Sequence, residues 1–388
     1  MSRPLEGLVV LDLTHVLAGP YAAMTLGDLG AKVIKVERPG EGDDTRAFPP
    51  FDGGESAYFA ALNHGKLSIA LDLKAEHDRA IFEDLLARSD VLLENYRPGV
   101  MERLGYGWEA LHARHPALIY GAVSGFGHSG PWSQKPCYDM VVQAMGGVMS
   151  ITGEPGRDPV RVGASIGDIV AGMFLAQGVM AALYDRSRTG EGRKVDIAML
   201  DCQLAILEHA IAITTITGEP PKPSGARHPS IAPFETYHAE DGLMVIACGN
   251  DKLFSALCGV LGLSALASDP DYATNAARVR NVKRLKRLIE TVLLERPVAW
   301  WIEKLDAAGI PCGPLANVAE ALENPQLNSR DMVVEITAEP GRPGFVAAGN
   351  PIKLSGMPDG KLRETAPRLD GNRDEILDWL ADARAAAG

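Results

Sequence analysis

Residues 7–36, GLVVLDLTHVLAGPYAAMTLGDLGAKVIKV, decide the fold. Residues 7–13 are mostly Leu and Val, the composition of a strand buried on both faces. A loop over residues 14–20 follows. Its last residue, Pro20, suits the first turn of a helix, where an N–H has no partner anyway. Residues 21–29 read as that helix, closed by Gly30, and residues 32–36 (KVIKV) are a second strand. Strand, helix and strand within about 30 residues make a βαβ unit, and such a crossover joins parallel strands.

The same alternation continues outward. Residues 67–71, 91–93 and 117–123 are strand-like, and residues 77–88 are helical. This predicts an α/β, doubly wound domain. Residues 168–188 form a long helix, apolar nearly all round and so expected to be buried, and residues 199–217 a second helix. The texture then changes to GEPPKPSGARHPSIAP (218–233), whose density of Gly and Pro marks a linker. Beyond it come a strand at 242–247 and basic-amphipathic helices at 278–294 and 297–308. A strand at 332–336 and a helix at 374–386 end the chain. The expected organisation is a large domain over residues 1–224, a smaller α+β domain over 225–330, and a return to the large domain over 331–388.

The chain has 388 residues, 46% hydrophobic and 23% charged, as expected of a folded protein with a sizeable core. Its 38 basic and 50 acidic residues leave a net charge of −12, which argues against nucleic-acid and polybasic membrane binding. The most apolar run, 169–184, is shorter than the roughly 20 residues of a membrane span. Cys137, Cys202, Cys248, Cys258 and Cys312 are scattered with no CxxC pair, which fits a reducing compartment. With no signal-peptide pattern at the start, a cytoplasmic location is expected.

The first βα turn lacks the GxGxxG that lets a backbone approach a dinucleotide pyrophosphate, so nicotinamide or flavin binding is disfavoured. Glu37 stands where a ribose-binding acid often lies. Arg38, Arg46, Lys74, Arg97 and Arg103 sit at strand ends or in loops; they are either an anion pocket or ordinary surface charge. Asp168, in RVGASIGDI, enters the long helix from a glycine-containing loop. It reads as a helix cap or as a carboxylate nucleophile, with capping ahead on residue physics alone. Arg227 and His228, in a Gly/Pro loop after Gly225, are candidates for binding a carboxylate. No HExxH, HxxxH, GxSxG or P-loop is present, so neither a catalytic metal nor hydrolase or nucleotide-triphosphatase chemistry is expected.

Five ordered segments resemble the class III CoA-transferase family, the group that includes formyl-CoA transferase and carnitine CoA-transferase. They are PLEGLVVLDLTHVLAGPYAAMTLGDLGAKVIKVERPGEGDDTR, LENYRPG, SGFGHSGP, GASIGDIVAG and GARHPSIAPFETYHAEDG. GEGDDTR and RHPSIAPF are most similar to the succinyl-CoA:glutarate type that acts on dicarboxylates. The resemblance implies a Rossmann-like large domain built from both chain ends, and an interlocked homodimer of ring-shaped subunits. It also implies coenzyme A, carried as an acyl-CoA, and a carboxylic acid as partners. It makes Asp168 the catalytic aspartate, reversing the preference for capping. It assigns Val16, Leu17, Ala18, Arg38, Leu71, Lys74, Asn95, Tyr96, Arg97, Arg103 and Tyr138 to the CoA site. It puts Tyr58, Asp139 and the Gly225–His228 loop near the substrate, with Arg46, Arg227 or His228 as candidates for a distal carboxylate. Leu17 replaces a Gln of formyl-CoA transferase, and SGARHPS replaces its run of glycines, departures that argue against oxalate and formyl-CoA. Two alternatives are an α-methylacyl-CoA racemase on the same fold, whose catalytic His falls at Tyr138, and a non-catalytic CoA-binding protein.

Overall fold

The structure, a computed structural model, describes residues 3–337, 344–357 and 360–387. The chain divides into two compact units. The larger takes the residues up to Met149, Arg161–Pro220, and the chain from Pro325 onward; the smaller takes Ser150–Val160 and Pro221–Asn324. The inserted unit thus begins and ends a few residues before its expected limits. It also claims Ser150–Val160, which the sequence alone left with the large domain, because Gly225 N–H donates to Gly153 O (2.9 Å) and ties the two stretches together.

In the larger unit, β1 (Val9–Asp12), β2 (Lys32–Glu37), β3 (Leu67–Ala70), β4 (Val91–Glu94), β5 (Ile119–Ser124) and β6 (Lys194–Ala198) form one sheet. All its pairings are parallel and the order is β3-β2-β1-β4-β5-β6. This is the doubly wound order, reversing between β1 and β4, where the crevice at the carboxyl ends of the strands serves as a binding site. Alternate residues feed opposite faces. Val10, Val33, Leu93 and Ile119 join one cluster; Leu11, Ile34, Leu92 and Tyr120 join the other. The C-terminal helix Arg373–Ala387 contributes Ile376 and Leu380 to the second cluster, so the chain end completes the domain that the N-terminus begins.

Helix α1 (Ala18–Asp28) follows β1, α2 (Glu76–Leu86) follows β3, and α3 (Asp139–Met145) precedes α4 (Ile166–Thr189). At 24 residues, α4 is longer than its apolar run suggested, and by length and composition it is able to cross a membrane. It packs on the sheet through Ala171, Leu175, Ala176 and Val179, while Met173 and Tyr184 stay exposed. Full burial of this helix was expected, but only one face is covered by this chain. The helix expected over 199–217 is two, α5 (Met199–Ala205) and α6 (Glu208–Thr217), bent by 68° at the intervening residues.

The smaller unit pairs β7 (Phe234–His238), β8 (Leu243–Ala247) and β9 (Cys312–Pro314) antiparallel, with β8 in the centre. Its core gathers Tyr237, Ile246, Phe254, Leu285, Ile289 and Trp301. The helix expected over 278–294 breaks at Asn281 into Asn275–Arg280 and Val282–Leu293. Arg278, expected on an amphipathic surface, is fully buried, donating to Ala232 O, Tyr272 O and Asp251.

Helices α1 and α4 meet closely at Gly172, against Ala18 and the Tyr21 side chain. A Cβ on Gly172 would stand 2.5 Å from Ala18 O, a backbone atom that cannot move without shifting α1. Gly172→Ala is expected to destabilise the fold by about 1–3 kcal/mol through overpacking, read as a lower urea midpoint at unchanged m-value. A wild-type midpoint would show that the two helices have slack.

Candidate active site

The turn between β1 and α1 is built on buried charge. Asp12, the last residue of β1, is fully buried and accepts from Lys66 Nζ (2.9 Å) and Thr14 N–H (2.9 Å). Lys35, one strand over on β2, donates to Thr14 O (2.7 Å) and pairs with Asp43 (3.0 Å). Burial pushes the Asp43 carboxyl up, but Lys35 and the Thr45 N–H and hydroxyl outweigh it and hold Asp43 at about 2. Gly19 is required one step later, since a Cβ there would overlap the Thr14 side chain.

This turn forms one wall of a cleft of about 370 Å³ at the carboxyl ends of the strands. His15, Val16, Leu17 and Ala18 line it, with Asn95, Tyr96 and Arg97 from the loop after β4, and Lys135, Cys137 and Tyr138. Asp168 stands on the opposite side of the chain order but in the same cleft. The His15 and Tyr96 rings lie 5.5 Å apart, and burial lowers the His15 pKa, so His15 favours the neutral form.

Asp168 occupies the first turn of α4, yet it is not the cap. Asp139, at the start of α3, accepts from Gly167 N–H (2.8 Å) and from the Gln143 amide (2.8 and 3.0 Å). Asp139 therefore satisfies the helix N-terminus, and no described group hydrogen-bonds the Asp168 carboxylate. Burial first, and the Asp139 charge second, push the Asp168 carboxyl up to about 7. The same charges raise the pKa of the half-buried Tyr58 phenol, which burial raises most. The cleft thus presents a free, poorly solvated carboxylate beside a glycine, with Arg97 and Lys135 as cations.

A family model described as CoA-transferase family III matches residues 5–373. The chain belongs to CoA-transferase family III. The chain is 47% identical over 368 residues to an acetyl-CoA:oxalate CoA-transferase of Acetobacter aceti, covering 95% of this chain and 93% of that one. It is 38% identical over 383 residues to a succinate–glutarate CoA-transferase of Agrobacterium fabrum, covering 96% and 95%. A solved structure, a CAIB/BAIF family protein from Brucella suis, matches with a TM-score of 0.87 at 38% identity, covering 98% and 100%. The chain is accordingly a CoA-transferase, and CoA thioesters are its substrates.

The cleft gathers eight of the expected residues: Val16, Leu17, Ala18, Asn95, Tyr96, Arg97, Tyr138 and Asp168. Others fall elsewhere. Arg38 is exposed and pairs with Asp44 (3.1 Å), itself a cleft residue. Lys74 and Arg103 are exposed, and the Leu71 side chain belongs to the sheet core. Arg46, expected to meet a distal carboxylate, is already committed: it grips Glu37 through Nε (2.8 Å) and Nη2 (2.7 Å) and donates to Pro367 O. The same pairing removes Glu37 as a ribose-binding acid. Gly225 and Arg227 line a cleft of about 500 Å³ within the smaller unit, together with Lys222 and Lys286. His228 stacks on Phe234 (5.2 Å) and accepts from Ser230 N–H (3.1 Å). Sequence reasoning missed Lys135, whose only signal was its place three residues before Tyr138.

The raised Asp168 carboxyl has a stability consequence. Between about pH 4 and 7 the folded chain binds this proton and the unfolded chain does not, so stability from this group falls as pH rises to about 7. Asp168→Asn is expected to stabilise the protein by roughly 2–4 kcal/mol above pH 7, with the gain shrinking as the pH falls from about 7 to about 4. A gain independent of pH would contradict this environment for Asp168.

Proposed function

We propose that this enzyme moves CoA from an acyl-CoA to a dicarboxylate acceptor through covalent intermediates on Asp168. The observation that carries the reading is the unpartnered Asp168 carboxylate in the cleft that Val16–Ala18 and Asn95–Arg97 also line. The carboxylate attacks the thioester carbonyl; the C–S bond breaks, CoA leaves as thiolate, and a mixed anhydride remains. The thiolate attacks the aspartyl carbonyl, the donor acid departs as carboxylate, and an aspartyl-CoA thioester forms. The acceptor carboxylate then attacks that thioester, and the same two steps run in reverse to return Asp168. No proton is transferred in any step, so no general base is needed, only an ionised Asp168. Racemisation would require a base, and Tyr138, which stands at that place, is a weak one.

Acceptor choice rests on the relatives, which are named for oxalate, glutarate and mesaconate. All are dicarboxylates, and the relative 47% identical is named for oxalate, which keeps oxalate among the candidate acceptors beside the departures at Leu17 and SGARHPS. Arg46, bound to Glu37, is not available for a distal carboxylate. The homodimer belongs to the same reading. Helix α6 buries none of its residues, Ile216 is 86% exposed, and Met173, Tyr184 and Leu204 of the adjoining helices are exposed too. Apolar surface of that kind marks an interface, here with a second copy of the chain.

Incubation with succinyl-CoA followed by hydroxylamine is expected to leave a hydroxamate on Asp168, located by peptide mass spectrometry. Asp168→Ala is expected to lose about 10³-fold or more in turnover. Intact CoA binding with no adduct would sink the covalent mechanism. For pH, kcat/KM is expected to rise through an apparent pKa near 7. Asp139→Asn, by removing the like charge, is expected to move that rise to lower pH. An unmoved profile would show that Asp139 does not act on Asp168 by charge.

A further inference from the structure

Val16 is a β-branched residue in the left-handed region, at φ 67°. Such a residue is a genuine conformational outlier and persists only where its surroundings over-determine it. The move that would relieve it is a flip of the peptide between His15 and Val16, since that flip changes φ of Val16 and ψ of His15 together. Both edges of this one peptide are held. Its carbonyl, His15 O, accepts from Asn95 Nδ2 (2.7 Å), and its N–H, on Val16, donates to Asp43 Oδ1 (3.1 Å). His15 N–H donates to Asn95 Oδ1 as well (2.9 Å), so both ends of the Asn95 amide are spent on His15.

Topology supplies the two holders. β1 lies between β2 and β4, so the loop after β2 brings Asp43 to one side of the turn and the end of β4 brings Asn95 to the other. Asp43 is itself fixed by Lys35 and Thr45, and so is not free to follow a flipping peptide. The held peptide precedes Leu17 and Ala18, which line the cleft with Asp168.

We infer that Asn95 and Asp43 hold the His15–Val16 peptide in the orientation that CoA-ester binding needs, making Asn95 a positioning residue rather than a contact to CoA. This rests on the CoA-transferase reading of the cleft. Asn95 acts through the turn, so its effect depends on the residue at 16.

The test is a double-mutant cycle of Asn95→Ala and Val16→Gly, with CoA affinity by calorimetry, kcat/KM for succinyl-CoA, and hydrogen exchange of the turn. Asn95→Ala is expected to weaken CoA binding by about 10- to 100-fold and to speed exchange at residues 15–18. Glycine at 16 has no strain to relieve, so adding Val16→Gly to Asn95→Ala is expected to recover at least about fivefold. Asn95→Asp keeps the acceptor for His15 N–H but loses the donor to His15 O, and is expected to behave as Asn95→Ala. Equal losses in both backgrounds with unchanged exchange mean that Asn95 touches CoA directly, and the inference fails. It fails also if Asn95→Asp matches wild type. A wild-type chain that binds no CoA would instead overturn the functional reading, and the exchange comparison would still decide the clamp.

Discussion

Asp12 sits fully buried at the end of the central strand with Lys35 and Lys66 for company. A charge in such a place is tolerable only if it is paired and its remaining atoms are hydrogen-bonded. Burial alone would raise the Asp12 pKa, and the two lysines bring it below the usual value. Each lysine needs further partners in turn. Lys35 takes Asp43 and Thr14 O; Lys66 takes Asn63. Asp43 N–H donates to Glu37, and Glu37 takes Arg46 and Ser68. Three carboxylates and three cations thus close on one another beneath the first βα turn. No member can leave without stranding another, and together they come from β1, β2, the segment after β2 and the residue just before β3, so the network fixes how those segments meet.

That constraint passes to Asp168, the proposed nucleophile, through close contacts. The network seats the turn, the turn starts α1, and α1 meets α4 closely at Gly172, which has no side chain of its own. Asp168 lies one turn ahead of that contact. Asp139 holds the same end of α4 by capping Gly167. Asp168 is therefore placed from two sides without any bond to its own carboxylate. A nucleophile needs both conditions, a fixed position and a free lone pair, and capping by a different aspartate supplies them together.

What the sequence reveals follows from the range of each interaction. The βαβ order and five of the six parallel strands were legible because buried strands announce themselves locally, through runs of Val, Ile and Leu; β6 (Lys194–Ala198) was missed, being short and mostly only half-buried. The return of the C-terminal helix to the first domain came from the family resemblance. Pairings distant in sequence were not legible. Residue physics gave the cap of α4 to Asp168, because nothing local points to Asp139, 28 residues upstream, as its cap. Arg46 looked like a free cation because Glu37 reads as a strand-end acid rather than its partner. Arg278 looked like surface because its partners include carbonyls of Ala232 and Tyr272. The family resemblance pointed to loops several of which meet at the cleft, but it carried over positions rather than tasks. Asn95 arrives at the cleft as expected, with its amide already occupied.

The surroundings of Asp168 also bear on the proposed chemistry. Before reaction, burial and the neighbouring Asp139 both penalise the negative charge, which is why the proton is held up to about 7. Acylation of the carboxylate removes that charge, whether the product is an anhydride or a CoA thioester. Both penalties then vanish, and the covalent states gain relative to the free enzyme. Release of Asp168 at the end of the cycle restores the penalty, so the final step is made harder by the same amount. A transferase tolerates this exchange because its two half-reactions are chemically alike and the enzyme returns to its starting state. A hydrolase with the same aspartate would gain from a more exposed site, since water would complete its reaction. In the proposed cycle poor solvation serves the opposite end: it would favour the acyl-aspartyl intermediates while limiting the water that hydrolyses them. Asp139 contributes through its charge and its hold on Gly167.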